Sequence, residues 1–267
     1  MPSPSSPVAF SIGPLEVRWY ALFILSGIIL GTLVAAGIAR RRGQNDAFLL
    51  DAAPIVVIAA VVGARLYYIA LEWRFFADHP DRIVGLQLRG LTIHGALIAG
   101  IACFWWLCRR HHEDFLRWAD TIIVGVPVGQ AIGRWGNWAN QEAFGRPTDL
   151  QWGVRIDPHR RPAEFFTAEQ FHPTFLYESL CSLAIAVVLT IAVLRFGKRA
   201  AWRNGYALAL YLILYGVVRL AIESMRTDSL YIGPWPAAYW LSGALIVSGC
   251  VLASIVRARE VDRGEQE

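Results

Sequence analysis

Seven apolar runs recur along the chain, separated by shorter stretches that hold most of its charge. The first, Trp19 to Ala39, has no charged residue and ends at Arg40-Arg41-Arg42. The others run from about Phe48 to Ala70, Leu91 to Cys108, about Phe115 to Ala139, about Thr174 to Leu194, about Gly205 to Ile222, and Trp235 to Val256. A helix rises about 1.5 Å per residue, so crossing a hydrocarbon layer of about 30 Å takes about 20 residues. The pattern therefore predicts an all-α polytopic membrane protein with seven transmembrane helices. Residues 1–267 read as a single integral-membrane domain, interrupted by one long polar stretch at 141–173.

An odd number of crossings puts the termini on opposite sides, and basic residues gather on the cytoplasmic side. With the N-terminus outside, the cytoplasmic segments hold thirteen basic residues: Arg40, Arg41, Arg42, Arg109, Arg110, Arg117, Arg195, Lys198, Arg199, Arg203, Arg257, Arg259 and Arg263. The outer segments hold nine. The predicted orientation is N-terminus outside and C-terminus cytoplasmic, with residues 141–173 as a small outer-face head segment. Within that segment the alternation in QWGVRI suggests one or two strands, and its polar residues suit a gate or platform; a plain connecting loop is the other reading. The start of the chain, MPSPSSPVAFSIGPLEV, lacks the basic region of a signal peptide and is expected to be retained.

Composition excludes most other classes. Hydrophobic residues make up 55% and charged residues 17%, and mean hydropathy is +0.41. That charge is too sparse for an ordinary soluble globule, for which about 25% is typical. Cys103, Cys108, Cys181 and Cys250 all lie in apolar runs without paired spacing, so they read as small core residues rather than bridges or metal ligands. A formal charge of +4 is too mild to imply nucleic acid.

Three arginines, Arg65, Arg134 and Arg219, fall inside the apolar runs. Embedding a charge in a bilayer costs at least about 2.5–3.5 kcal/mol, so each needs a partner or a purpose. In the predicted topology the three lie towards the ends of outward-running spans, while Tyr20, His94 and Glu178 lie near the starts of inward-running ones. Six helices thus place polar side chains in one leaflet, which predicts a polar cavity opening towards the outer face. In GRWGNWANQEAFGR, Arg134, Asn137 and Gln141 share a helix face if the helix continues that far. In RLAIESMR, Arg219 and Glu223 are spaced i,i+4, with Arg226 one turn on. Two guanidinium groups at one depth suit a phosphate, which in a membrane means a phospholipid headgroup. Plainer roles stand beside these: Arg65 can snorkel or pair with Glu72, Glu223 can simply orient Arg219, His94 can be a hydrogen-bonded core residue, and Tyr20 can be an interfacial aromatic.

Six motifs, in order, resemble those of the prolipoprotein diacylglyceryl transferase family: FSIGPLEVRWYAL, GARLYY, LTIHGALIAG, GRWGNWANQEAFGR, HPTFLYES and YGVVRLAIESMRTD. The fourth is the most specific. The chain has His94-Gly95-Ala96 where the family commonly has His-Gly-Gly, and Trp138 where Phe commonly follows Gly-Asn. The resemblance implies an enzyme of the bacterial cytoplasmic (inner) membrane, with its active site towards the outer leaflet. Its substrates would be phosphatidylglycerol and the lipobox segment of a prolipoprotein, met among membrane lipids and without nucleic acid. It would move a diacylglyceryl group to the lipobox cysteine thiol and release glycerol phosphate, without metal or other cofactor. Carried over by motif position, the family's important residues fall on Tyr20, His94, Arg134, Asn137, Asn140, Glu142, Gly145, Arg219 and Glu223, with His94, Arg134 and Arg219 in the catalytic role. From the embedded charges alone the competing reading is a membrane transporter for an anionic or lipid-like substrate, although no internal repeat is evident and the charges lie away from the midplane.

Overall fold

A computed structural model describes residues 1–4, 6–13, 15–83, 90–197, 199 and 202–264. Lys198, counted above among the inward-facing basic residues, lies outside them. Each of the seven apolar runs is a helix. They are α1 (Trp19–Arg41), α2 (Asp46–Leu71), α4 (Ile93–Arg110), α5 (Phe115–Asn140), α6 (Thr174–Phe196), α7 (Tyr206–Glu223) and α8 (Ala237–Gly264), with a short α3 (Trp73–Asp78) after α2. Five, namely α1, α2, α6, α7 and α8 up to Ala258, are long and apolar enough to cross a membrane. The chain is a predominantly helical, multi-pass membrane protein. The helices α4 and α5 miss that standard because they carry polar residues: His94, Arg109 and Arg110 on α4, and Arg117, Asp120, Gln130, Arg134, Asn137 and Asn140 on α5.

The chain divides into two compact units, Gln44–Trp118 and the remainder. In the first, α2 runs against α4. Gly63 and Gly95 face each other so closely that a Cβ on either would strike the other's carbonyl. Leu97, Ile98, Ile101, Trp105 and Trp106 leave one face of α4 exposed and apolar, the inverse of a soluble helix and the pattern of a surface meant for lipid. Arg65 donates to the carbonyl of Arg82 at 2.7 Å, and its guanidinium lies over the rings of Tyr68 and Phe76.

In the larger unit α1, α6 and α7 all meet α5, while α8 packs on α7. Gly27 and Gly31 of α1 meet Gly129 and Gly125 of α5 backbone to backbone. The Ser179 hydroxyl of α6 donates to the Ala131 carbonyl at 2.9 Å, and the Gln130 amide donates to the Tyr211 hydroxyl of α7 at 2.7 Å. Ile38, Ile123, Val124, Ile185, Leu189, Val193 and Tyr211 form the apolar core between them. A helix enclosed in this way presents little surface to lipid, so polar residues on it cost less than they would on α1 or α8. At its start the fully buried Asp120 accepts from the backbone amides of Gly205 (2.9 Å) and Leu208 (3.0 Å), capping the first turn of α7.

The strands are short. β1 (Val8–Ile12) pairs antiparallel with β2 (Leu15–Arg18), and β5 (Tyr231–Ile232) with β6 (Trp235–Pro236); these hairpins lead into α1 and α8. Between α5 and α6, residues 141–173 form a segment with its own core of Phe144, Val154, Ile156 and Phe171, which Phe175 joins from α6. Its one ladder pairs β3 (Val154–Arg155) with β4 (Gln170–Phe171).

Candidate active site

Alternating helix direction brings the end of α5, the start of α6 and the end of α7 to one end of the larger unit, where their charged residues converge. Glu178, on the second turn of α6, is the hub. Its carboxylate pairs with Arg134 of α5 and lies 3.4 Å from Arg226 and 3.8 Å from Arg219. Glu223 pairs with Arg219 at 2.6 Å across one helical turn and lies 4.0 Å from Arg226. Arg226, in the turn after α7, also makes a two-point contact with Asp228 at 2.8 and 3.0 Å. Burial alone would lower its affinity for the proton, but the Asp228 hydrogen bond and the charges of Asp228, Glu178 and Glu223 outweigh it and raise its pKa above the ordinary arginine value. Its positive charge is permanent.

Such a cluster is a poor device for stability, because desolvating the ions costs about what their attraction returns. Its imbalance is more informative. Three guanidinium groups share two buried carboxylates, and among the described residues the charge left over is met by Asp228 at the surface. Within it Arg219 Nη1 is buried and makes no hydrogen bond among the described residues, lying 3.8 Å from the Glu178 carboxylate. An orphaned donor costs about 1–3 kcal/mol, more when charged. A cationic cluster with a free donor is prepared for an anion's oxygen.

Beside it, Asn137 and Asn140 both donate to Glu142 Oε1, at 2.9 and 3.3 Å. The expected face of Arg134, Asn137 and Gln141 needs correcting, because α5 ends at Asn140. Gln141 adopts a left-handed backbone (φ 51°), which turns its amide away to exchange hydrogen bonds with Asp157 at 2.9 and 2.7 Å. Gly145 sits where three segments meet, and a Cβ there would strike His172, Thr174 and the Met225 carbonyl. Its amide donates to the His172 carbonyl at 2.9 Å, and it forms a β-bridge with Arg226. Tyr20, at the start of α1, lies over Gly136 of α5. The structure thus gathers Arg134, Arg219, Glu223, Asn137, Asn140, Glu142, Gly145 and Tyr20 within one unit. His94 belongs to the other unit, exposed on the first turn of α4 with its ring 6.1 Å from that of Tyr67.

Three members of the cluster, Glu178, Arg226 and Asp228, are not among the site residues expected from the sequence. Glu178 had been noted for its depth alone, and Arg226 for standing one turn beyond Glu223. The signal was present, since a buried glutamate at the depth of several arginines is their natural partner.

The sequence model of the prolipoprotein diacylglyceryl transferase family matches residues 7–255. The chain belongs to this family. Relatives named phosphatidylglycerol–prolipoprotein diacylglyceryl transferase include that of Synechococcus elongatus, 41% identical over 91% of this chain and 84% of its own length. The Symbiobacterium thermophilum relative is 40% identical, covering 97% of this chain and 96% of its own, and the Finegoldia magna relative is 38% identical, covering 92% and 93%.

Proposed function

We propose that this protein transfers the diacylglyceryl group of phosphatidylglycerol to the lipobox cysteine of a prolipoprotein. The seven long helices cross the bacterial cytoplasmic membrane with the N-terminus outside, so that the arginine cluster opens towards the outer leaflet and residues 141–173 cover it. The observation that carries this reading is the excess of arginines over buried carboxylates around Glu178, balanced by the half-exposed Asp228, with the orphaned Arg219 Nη1 inside it. A phosphodiester supplies the missing acceptor and brings its own negative charge to the arginines.

In the reaction the cysteine sulfur attacks the glycerol carbon that bears the phosphate ester. A carbon–sulfur bond forms, the carbon–oxygen bond breaks, and the oxygen leaves with its electron pair as glycerol phosphate. Charge grows on that phosphate as the bond breaks, so Arg134 and Arg219 hold the transition state more tightly than the ground state, which is the condition for accelerating it. Glu178 and Glu223 hold the two guanidinium planes in place. Asn137, Asn140, Glu142, Tyr20 and Gly145 line the substrate. The thiol, with a pKa of about 8.5, reacts as thiolate, and His94 takes its proton.

The test is transfer from phosphatidylglycerol vesicles to a lipobox peptide by the purified protein, read as thioether product and released glycerol phosphate. Absence of both would overturn the reading. Its proton-transfer step is tested by His94→Gln, which should lose about 10²- to 10⁴-fold. Activity relative to the parent should recover as pH rises from about 6.5 to 9, because solution hydroxide then supplies thiolate. A variant profile parallel to that of the parent would make His94 a positioning residue instead.

A further inference from the structure

The three carboxylates of the cluster are not equivalent. The side chains of Glu178 and Glu223 are 5% and 2% exposed, whereas that of Asp228 is 48% exposed. Moving either glutamate into water requires parting helices, but Asp228 is already half hydrated and leaves by rotating its own side chain. Asp228 nevertheless makes the most regular contact of the three. Its two oxygens meet Nη2 and Nε of Arg226 at 2.8 and 3.0 Å, the planar two-point geometry that guanidinium also offers to a phosphate.

Arg226 itself cannot follow its partner. Its backbone is bridged to Gly145, the Arg146 amide donates to the Met225 carbonyl at 2.9 Å, and the Thr227 hydroxyl donates to the Phe144 carbonyl at 3.4 Å. The turn after α7 is thus fastened to the segment that follows α5. With Asp228 swung away, Arg226 would remain in the cluster with an open fork and a permanent charge.

We propose that Asp228 is a built-in stand-in for the substrate's phosphate. It neutralises Arg226 while the site is empty, yields that guanidinium to a phosphate when one arrives, and reclaims it to help expel the product. This rests on the reading of the cluster as a phosphate site, and it makes Arg226 a third phosphate contact beside Arg134 and Arg219. Because Asp228 competes with the lipid phosphodiester and with free glycerol phosphate alike, it sets how tightly both are held rather than how fast the bond breaks.

The experiment measures transfer by the full-length protein in phosphatidylglycerol vesicles, with glycerol phosphate added as inhibitor. Inorganic phosphate serves as a second probe, separating recognition of the phosphate from recognition of the glycerol. Asp228→Asn should tighten inhibition by glycerol phosphate roughly two- to fivefold, the value of a half-exposed ion pair. The KM for phosphatidylglycerol should fall in the same direction, without a gain in kcat. Asp228→Glu keeps the carboxylate and should inhibit like the parent. Unchanged or weaker inhibition in Asp228→Asn would overturn the proposal, as would the same tightening in Asp228→Glu. Thermal stabilisation by glycerol phosphate gives a readout without turnover, and it should be larger for Asp228→Asn than for the parent; an equal or smaller shift also overturns the proposal. If Arg219→Lys keeps full activity, the phosphate-site reading itself fails. If Arg219→Lys is impaired but Asp228→Asn binds glycerol phosphate as the parent does, only the role of Asp228 fails.

Discussion

Two of the buried carboxylates in the larger unit, Asp120 and Glu178, have opposite surroundings. Asp120 accepts from two amides at the start of α7, with Arg42 nearby hydrogen-bonded to Thr121 at 2.7 Å. Those amides belong to a helix N-terminus, which favours negative charge. Among the described residues Glu178 meets no backbone donor and faces three arginines, one of which retains an unsatisfied donor. The first is a finished structural joint. The second is left incomplete on the side that a ligand would occupy, and this difference identifies the site better than burial or charge alone.

The comparison can be broken most directly at Glu178. Glu178→Ala removes the hub and leaves Glu223 as the buried counter-charge for three arginines, so it should abolish transfer and destabilise the protein by about 3–5 kcal/mol. Thermal unfolding in detergent would measure this, and a variant as stable as the parent would show that the cluster rearranges freely. Arg134→Lys and Arg219→Lys separate function from stability. Each keeps its charge but loses the two-point contact, so turnover should fall roughly tenfold to over a hundredfold, about 1.5–3 kcal/mol, with little change in unfolding. Near-parental turnover in both would reduce the arginines to generic cations. The smallest effect on activity belongs to Asp120→Asn. It should cost about 1–2 kcal/mol of stability while turnover per folded molecule stays near that of the parent. A selective loss of turnover there would erase the distinction between the two carboxylates.

Much of this was legible in the sequence because a bilayer imposes simple rules. Each apolar run of sufficient length became a helix, and Arg134 and Arg219 stood out because charge inside such a run needs a reason. What escaped depended on which helix meets which. Glu178 and Arg226 are 48 residues apart, and no spacing rule pairs them. Gln141 misled for a local reason: its polarity fits the face of α5, but the left-handed turn that ends the helix is a backbone choice that the side chain does not announce. The close meeting of α1 and α5 also went unread, since glycines in apolar runs are common and only the fold shows which of them touch.

That meeting keeps a strict count. A step of four along α1, from Gly27 to Gly31, is matched by a step of four back along α5, from Gly129 to Gly125. Followed the other way, seven residues before Gly27, α1 reaches Tyr20, and seven after Gly129, α5 reaches Gly136, where the two again touch. The crossing therefore acts as a ruler, fixing the height of Tyr20 against Gly136 from about 10 Å away. Deleting one residue between Tyr20 and Gly27 would leave every site residue in the sequence yet turn the tyrosine about 100° around its helix. In this protein the position of that tyrosine is written partly in residues that have no side chain at all.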